Sequence, residues 1–168
     1  MDAEFREFVE ARYAELLRVA YLLTGSAHEA EDLVQTALVK VMRRWRRVDD
    51  PMAYLRRAMI NQNISTWRRF RMREIVTETV PERSHRDPAE LIAQRQTVHA
   101  ALRALPPRMR AIVVLRYVAD LPEAEVAAML GCSAGTVKAL ASRGLARLRE
   151  ALGPVEVAAL AGNRGGDR

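Results

Sequence analysis

The 168-residue sequence has one cysteine, Cys132, and three histidines, so it is poor in residues that bind metals or form disulfides. A single cysteine excludes an intrachain disulfide, and the scattered histidines cannot complete a closed zinc site with it. No apolar run approaches the roughly 20 residues that a membrane span needs, and the start MDAEFREF is not a secretion signal. We therefore expect a cytoplasmic protein that needs no cofactor or metal and does not bind a membrane.

The sequence also lacks the features of an enzyme active site. His28, His85 and His99 have no visible nucleophile or metal-ligating partner, and the chain has no glycine-rich phosphate-binding loop. We therefore predict a protein that is not an enzyme.

Charge is distributed unevenly along a chain whose formal net charge is +6. Residues 1–35 carry eight acidic and three basic side chains, a net charge of −5. Residues 36–73 carry eleven basic and two acidic side chains, a net charge of +9. Such local positive charge favours a polyanionic partner, although a basic protein can also simply be soluble.

Apolar residues recur at helical spacing along most of the chain, and no alternating strand pattern is present. Ser26 is typical of a helix cap, and Pro51 of the first position of a third helix, which we expect to run to about Ile60. The polar segment 74–87 interrupts the periodicity and predicts a flexible linker. The predicted fold is all-α, with two small helical domains at residues 1–73 and 88–152, and a flexible tail at 153–168.

The segment EAEVAAMLGCSAGTVKALAS, residues 123–142, has the pattern of a helix-turn-helix unit. Such a unit needs a small residue where its helices cross, here Ala127, and a turn residue that tolerates positive φ, here Gly131. Its apolar positions are Val126, Leu130, Cys132, Val137 and Leu140. A plain helical hairpin would show the same spacing, but a basic outer face favours a DNA major groove. The candidate contacts are Ser133, Gly135, Thr136, Lys138, Ser142, Arg143 and Arg147.

The segment AMINQNISTWRRFRMR, residues 58–73, combines amides, flat side chains and arginines. Single-stranded DNA is bound by cations on its phosphates and flat side chains on its bases, and amides can capture an unpaired base. The asparagines also favour a break in the helix. The spacing of Trp67 from Ile64 equally fits a core position, so both roles stay open for it. The candidates are Arg56, Arg57, Asn61, Asn63, Trp67, Arg68, Arg69 and Arg71, with Phe70 and Arg73 beside them.

The order of these segments resembles a known family. The strings LLTGSAHEAEDLVQTALVKVMRRW, DPMAYLRRAMINQNISTWRR and ALPPRMRAIVVLRYVADLPEAEVAAMLGCSAGTVKALASRGLARLREAL follow one another as in small two-domain bacterial sigma factors of the extracytoplasmic function group, near the actinobacterial SigE-like subfamily. The resemblance covers about residues 5–152. "AEDLVQ", the Asn–Arg helix and "GTVK" in this order make it specific.

The resemblance implies a subunit that directs core RNA polymerase to promoters, where it recognises and melts DNA. It implies that the helix matching residues 28–46 binds the β′ clamp helices of core polymerase, and that the β flap is a further contact of the chain. Residues 54–71 would melt the minus-ten element, with Asn61 at a base pocket, and Lys138, Ser142 and Arg143 would read the minus-thirty-five duplex. Many such factors are held by an anti-sigma protein. The implied β′ contacts are Asp32, Gln35, Thr36, Val39 and Arg43.

Three positions depart from the family pattern. Ser65 stands where Asp is frequent, and Ala139 and Leu140 stand where a Ser–Arg pair is frequent, which predicts altered DNA contacts. The linker could span at most roughly 50 Å, or about 15 base pairs, so both domains could reach one promoter. A stand-alone helix-turn-helix regulator that binds duplex DNA as a dimer is the alternative, but it leaves the Asn–Arg segment unexplained.

Overall fold

The computed structural model describes residues 2–74, 90–154 and 157, and the side chains of 70–74 and 90–96 fall outside that description. The regular structure in these ranges is helical, as predicted. The helices are α1 (Ala3–Thr24), α2 (Ala27–Met42), α3 (Pro51–Glu74), α4 (Glu90–Ala104), α5 (Pro107–Val113), α6 (Glu123–Leu130) and α7 (Ala134–Leu152), with a 3₁₀ turn at Trp45–Arg47 and a π-helical turn at Val114–Val118.

Helices α1–α3 form an N-terminal unit, and the predicted starts of its helices are confirmed. The Ser26 hydroxyl accepts the backbone N–H of Glu29 at 3.4 Å at the start of α2. Pro51 begins α3, and the Asp50 carboxylate accepts the backbone N–H of Ala53 at 3.0 Å. Both contacts satisfy N–H groups that have no partner within their helix.

The expected helix break at Asn61 and Asn63 is wrong, because α3 continues through both residues to Glu74. Leu55, Met59 and Ile60 are almost fully buried on one face of α3. Burying such a side chain stabilises by about 1.5–3 kcal/mol, whereas an asparagine inside a helix costs at most about 0.7 kcal/mol. Packing therefore outweighs the local preference of the two amides.

Helices α4–α7 form a C-terminal unit that contains the predicted helix-turn-helix. Gly131 ends α6 with φ 64° and ψ 41°, the left-handed conformation that the turn requires. The Ser133 hydroxyl then accepts the backbone N–H of Thr136 at 3.1 Å and starts α7. Val126 and Val137 are fully buried between the two helices, so the predicted arrangement of this motif is confirmed.

Helices α5 and α7 pack so closely at Gly144 that no side chain fits there. A Cβ atom at Gly144 would lie 2.5 Å from Val113 Cγ2 and 3.2 Å from Met109 Cγ, both in buried side chains. We expect Gly144→Ala to lower the free energy of unfolding by about 1–3 kcal/mol through overpacking, measured by urea denaturation. Gly135→Ala is the matched control, because a Cβ there meets only the Ser133 hydroxyl at 3.9 Å. Equal stability of the two variants would contradict the close packing.

The two units pack directly against each other instead of being held apart by a tether. Helices α1 and α3 of the N-terminal unit contact α4, α5 and α6 of the C-terminal unit. Arg110, buried in α5, donates to the Leu23 carbonyl at the end of α1 at 2.8 Å. The predicted linker lies outside the described residues apart from its first residue, Glu74. In the predicted flexible tail, Val157 is 3% exposed and belongs to the core.

Candidate nucleic-acid interface

The outward face of α3 carries cations and an amide in reach of solvent. Arg57, Asn61, Arg68 and Arg69 are exposed, whereas Asn63 is half-buried. Arg71 lies in α3, but its side chain is outside the described residues. Because four of the predicted minus-ten candidates share an exposed surface, phosphates and bases could contact them together.

Arg56 differs from its neighbours because it has a structural partner. Its guanidinium donates to the Glu15 carboxylate of α1 at 2.7 Å, and its side chain is only 15% exposed. An ion pair of this kind links α1 to α3 inside the N-terminal unit. Arg56 is therefore engaged in the fold, and the exposed arginines of α3 are the ones available to phosphates.

A groove of about 610 Å³ lies between α2 and α3 and brings further residues to the candidate site. Tyr54, Lys40 and Gln62 belong to no sequence motif that pointed to DNA, yet all three line the groove together with Arg57 and Asn61. Lys40 Nζ donates to Gln62 Oε1 at 3.2 Å across the groove. The remaining lining residues are Thr36, Ala58, Ser65, Thr66 and Arg69. Cations, amides and an aromatic ring thus surround one open channel.

Trp67 lies at the surface of α3 and is 36% exposed. It lines a cleft of about 340 Å³ together with Asn61 and Arg68 of α3. Residues of the C-terminal unit, Pro106, Pro107, Arg108 and Leu130, line the same cleft. Of the two roles left open by its spacing, a surface role fits this exposure better than a core role.

The outward face of α7 presents the residues predicted to meet duplex DNA. Val137, Ala141, Gly144 and Leu148 are buried on the opposite face, so the orientation of the helix is fixed by packing. The Ser133 hydroxyl also lies 2.9 Å from the Thr136 hydroxyl at the start of the helix. All of the predicted contacts are exposed: Ser133, Gly135, Thr136, Lys138, Ser142, Arg143 and Arg147.

The three departures from the family pattern have different surroundings. Leu140 is half-buried and packs against the core, so an apolar residue suits this position. Ala139 is exposed and offers no polar group to DNA. Ser65 is exposed and lines both the α2–α3 groove and the Trp67 cleft.

Helix α2 exposes two large apolar side chains on one face. Val39 and Met42 are each 45% exposed, and together with Trp67 they are the large apolar residues exposed in the described part of the chain. Asp32, Gln35 and Arg43 are exposed beside them, and Thr36 is half-buried. Met42 was not among the predicted contacts, although it follows Val39 by one helical turn. An apolar centre with a polar margin is typical of a protein-binding surface.

Two other kinds of functional feature are absent from the described ranges. No group of three or more His, Cys, Asp or Glu side chains there could hold a metal ion. None of the helices described is long and apolar enough to cross a membrane.

Two family profiles match this chain. The profile of sigma-70 region 2 matches residues 8–73, which include the α2 and α3 surfaces. The profile of sigma-70 region 4 matches residues 95–148, which include the helix-turn-helix.

Relatives match over nearly the whole chain. The RNA polymerase sigma-E factor of Streptomyces coelicolor is 43% identical over 152 residues, covering 89% of this chain and 86% of that protein. The ECF RNA polymerase sigma factor SigE of Mycolicibacterium smegmatis is 34% identical over 157 residues, covering 87% of this chain and 60% of that protein. The sigma factor RpoE of Bartonella quintana, solved in complex with the anti-sigma factor NepR, has a TM-score of 0.76 at 25% identity, covering 90% of this chain and 98% of its own. The chain belongs to the extracytoplasmic function group of sigma-70 RNA polymerase sigma factors.

Proposed function

We propose that this sigma factor binds core RNA polymerase through the exposed face of α2 and reads promoter DNA through α3 and α7. The proposed polymerase contact rests on one observation: Val39 and Met42 are both exposed, one turn apart on α2. Apolar side chains desolvated at the centre of an interface supply much of its binding energy. Asp32, Gln35, Thr36 and Arg43 would form the polar margin against the β′ clamp helices, and the C-terminal unit would meet the β flap.

The minus-ten strand would lie along α3 and the groove that this helix shares with α2. Arg57, Arg68 and Arg69 would contact phosphates, and Asn61 would bond an unpaired base. Trp67 and Tyr54 offer flat faces for base stacking, which is worth about 1–3 kcal/mol per base. Lys40 and Gln62, which are hydrogen-bonded to each other, would border the same strand.

The minus-thirty-five element would be read as intact duplex by α7. The N-terminal part of a recognition helix contacts base edges in the major groove, which assigns Gly135, Thr136 and Lys138 to the first bases. Ser142, Arg143 and Arg147 would follow on the same outward face.

The free-energy cost of opening DNA favours a subunit of RNA polymerase over a self-sufficient regulator. Each base-pair step lost costs about 1.4 kcal/mol of stacking, so opening several steps needs a large compensating surface. A small helical unit cannot supply that surface alone, whereas polymerase can. Free chain should therefore bind promoters weakly.

Substituting Val39 tests the α2 interface. We expect Val39→Arg to weaken binding to core RNA polymerase at least about tenfold, because a charge would replace an apolar side chain at the centre of the interface. The measurement is a titration of labelled chain with core polymerase, followed by promoter-directed transcription. Ala14→Arg, which adds the same charge at an exposed position of α1, is the control. If both variants bind like the unmodified chain, the α2 face is only solvated.

We also propose that this chain has an inhibitory protein partner. The Bartonella quintana neighbour was solved with an anti-sigma factor, and its fold matches this chain over both units. We propose that a protein of that class also holds this chain.

A further inference from the structure

We propose that Gln62 selects the base at one position of the minus-ten strand, and that Lys40 positions the Gln62 amide for this purpose. The selected base is thymine or guanine, the keto bases, which carry a carbonyl where adenine and cytosine carry an amino group. This inference rests on the proposed function, because it concerns the groove between α2 and α3 in which the strand would lie.

The Lys40 ammonium fixes the orientation of the Gln62 amide. Lys40 Nζ lies 3.2 Å from Gln62 Oε1, and the two residues are 22 positions apart in the chain, on different helices. An ammonium group only donates hydrogen bonds, so the end of the amide that faces it must be the carbonyl oxygen. The NH2 group of Gln62 is therefore the end that is left for DNA.

The surroundings of this pair are rich in hydrogen-bond donors. Lys40 keeps further N–H groups beyond the one given to Gln62, and the NH2 group of Gln62 adds two more. Arg57 and Arg69 line the same groove with guanidinium donors, and none of its described lining residues is acidic. A base carbonyl can accept from the Lys40–Gln62 pair, whereas an exocyclic amino group would place donor against donor.

The groove has the size and the chemistry to hold a nucleotide at this point. Its volume of about 610 Å³ lies within the roughly 300–1,000 Å³ of sites that hold small molecules. Tyr54 lines it and offers a ring on which a base can stack. Gln62 is half-buried, while Arg57 and Arg69 are exposed where phosphates can reach them. The amide thus lies deeper than the cations, as a group that reads a base should.

The test measures strand binding by holoenzyme reconstituted from the full chain and core polymerase. The probes are fluorescein-labelled non-template minus-ten strands from a promoter mapped with the unmodified holoenzyme, with each of the four bases placed at each position in turn. The unmodified holoenzyme should prefer a keto base at the selected position. Gln62→Ala should lower the ratio of affinities for keto and amino bases there by about 2- to 12-fold, the range for one hydrogen bond. Preferences at the other positions should not change.

Gln62→Glu gives a gain that a misfolded variant could not mimic. It keeps the size of the side chain but replaces the NH2 group with a second acceptor oxygen. The preference at the selected position should therefore shift towards adenine or cytosine, whose amino groups donate. Urea denaturation of each variant checks that the fold is retained, as we expect for these surface positions.

Lys40 is tested as a positioning residue. Lys40→Met should also lower the keto-to-amino ratio, because the Gln62 amide can then turn, and Lys40→Arg should keep it, because a guanidinium can donate to the same oxygen. A purely electrostatic role for Lys40 would instead weaken all strands equally and leave the ratio unchanged. Lys138→Met, which removes the same charge from an exposed position of α7, is the matched control and should not alter the ratio.

The failure of this inference can be told apart from the failure of the proposed function. A holoenzyme that binds the strand and initiates, but whose base preferences are the same with Gln62→Ala, keeps the function and overturns the role of Gln62. A preference for adenine or cytosine at the position that Gln62→Ala affects would overturn it as well. A holoenzyme that neither binds the strand nor initiates overturns both.

Discussion

Replacing Arg110 with alanine should lower the free energy of unfolding by at least about 3 kcal/mol, the largest loss expected from any single substitution considered. The reason is that one guanidinium satisfies backbone carbonyls at the ends of two helices. It donates to Leu23 at 2.8 Å, to Leu102 at 2.9 Å, and to Arg103 and Leu105 at 3.1 Å each. A buried carbonyl left without a partner costs about 1–3 kcal/mol, and the substitution removes the guanidinium from all four, of which Leu102 still accepts the backbone N–H of Leu105 at 3.1 Å.

The surroundings of Arg110 destabilise the charged form of its guanidinium. Burial, followed by the nearby positive charge of Arg103, lowers the pKa of the Arg110 guanidinium below its ordinary value. The group nevertheless stays protonated in a folded protein, because the ordinary value is so high. The positive charge of Arg110 also interacts favourably with the C-terminal ends of α1 and α4, which are the negative ends of the helix dipoles.

Urea denaturation of Arg110→Ala against Arg108→Ala measures this effect. Arg108 lies on the same helix but is exposed, and it donates a 3.4 Å hydrogen bond to the Leu130 carbonyl. Loss of an exposed side chain usually changes stability by no more than about 0.5 kcal/mol. Arg110→Lys should fall between the two, because an ammonium cannot reproduce the planar fork. If the two alanine variants lose the same free energy of unfolding, Arg110 does not stabilise the fold by binding the carbonyls at the ends of α1 and α4.

Replacing Arg143 with alanine should weaken binding to a matching minus-thirty-five duplex by about 5- to 150-fold, the equivalent of about 1–3 kcal/mol for a bidentate base contact. Arg143 is exposed on α7, next to the buried pair Ala141 and Gly144 that orients the helix. The loss should be confined to the matching sequence. Holoenzyme affinity for matched and scrambled duplexes gives the measurement.

The control for this prediction is Arg149→Ala, which removes the same charge from the last turn of α7. Its loss should be smaller and similar for every sequence, as for a phosphate contact. If Arg143→Ala instead weakens all duplexes equally, Arg143 contacts phosphate and does not specify a base.

The sequence predicted those features that depend on neighbouring residues in the chain. The caps at Ser26 and Asp50 and the turn at Gly131 are decided by local hydrogen bonds and by φ, so their residue types were sufficient. The exposed face of α7 followed from the spacing of Val137 and its buried partners. Recognition of the family followed from the order of these segments.

Features that depend on packing between distant residues were not predictable in this way. Nothing in the sequence pairs Arg56 with Glu15, which lies 41 residues away. The helix break at Asn61 was expected from the local preference of asparagine. The burial of Met59 and Ile60, which overrides that preference, depends on packing that the sequence does not show. Arg110 did leave a signal, since a charged residue inside the apolar run of α5 needs buried partners.

We propose that this chain binds promoter DNA as separated strand through α3 and as duplex through α7 while it is docked on core RNA polymerase. The most direct measurement maps strand opening and transcript starts together, using holoenzyme reconstituted from this chain and core polymerase on genomic promoter fragments. We expect opening at the minus-ten element and transcripts that start downstream of it, with both lost when core polymerase is omitted. Tight duplex binding by the chain alone, with no opening and no transcript when polymerase is added, would contradict it.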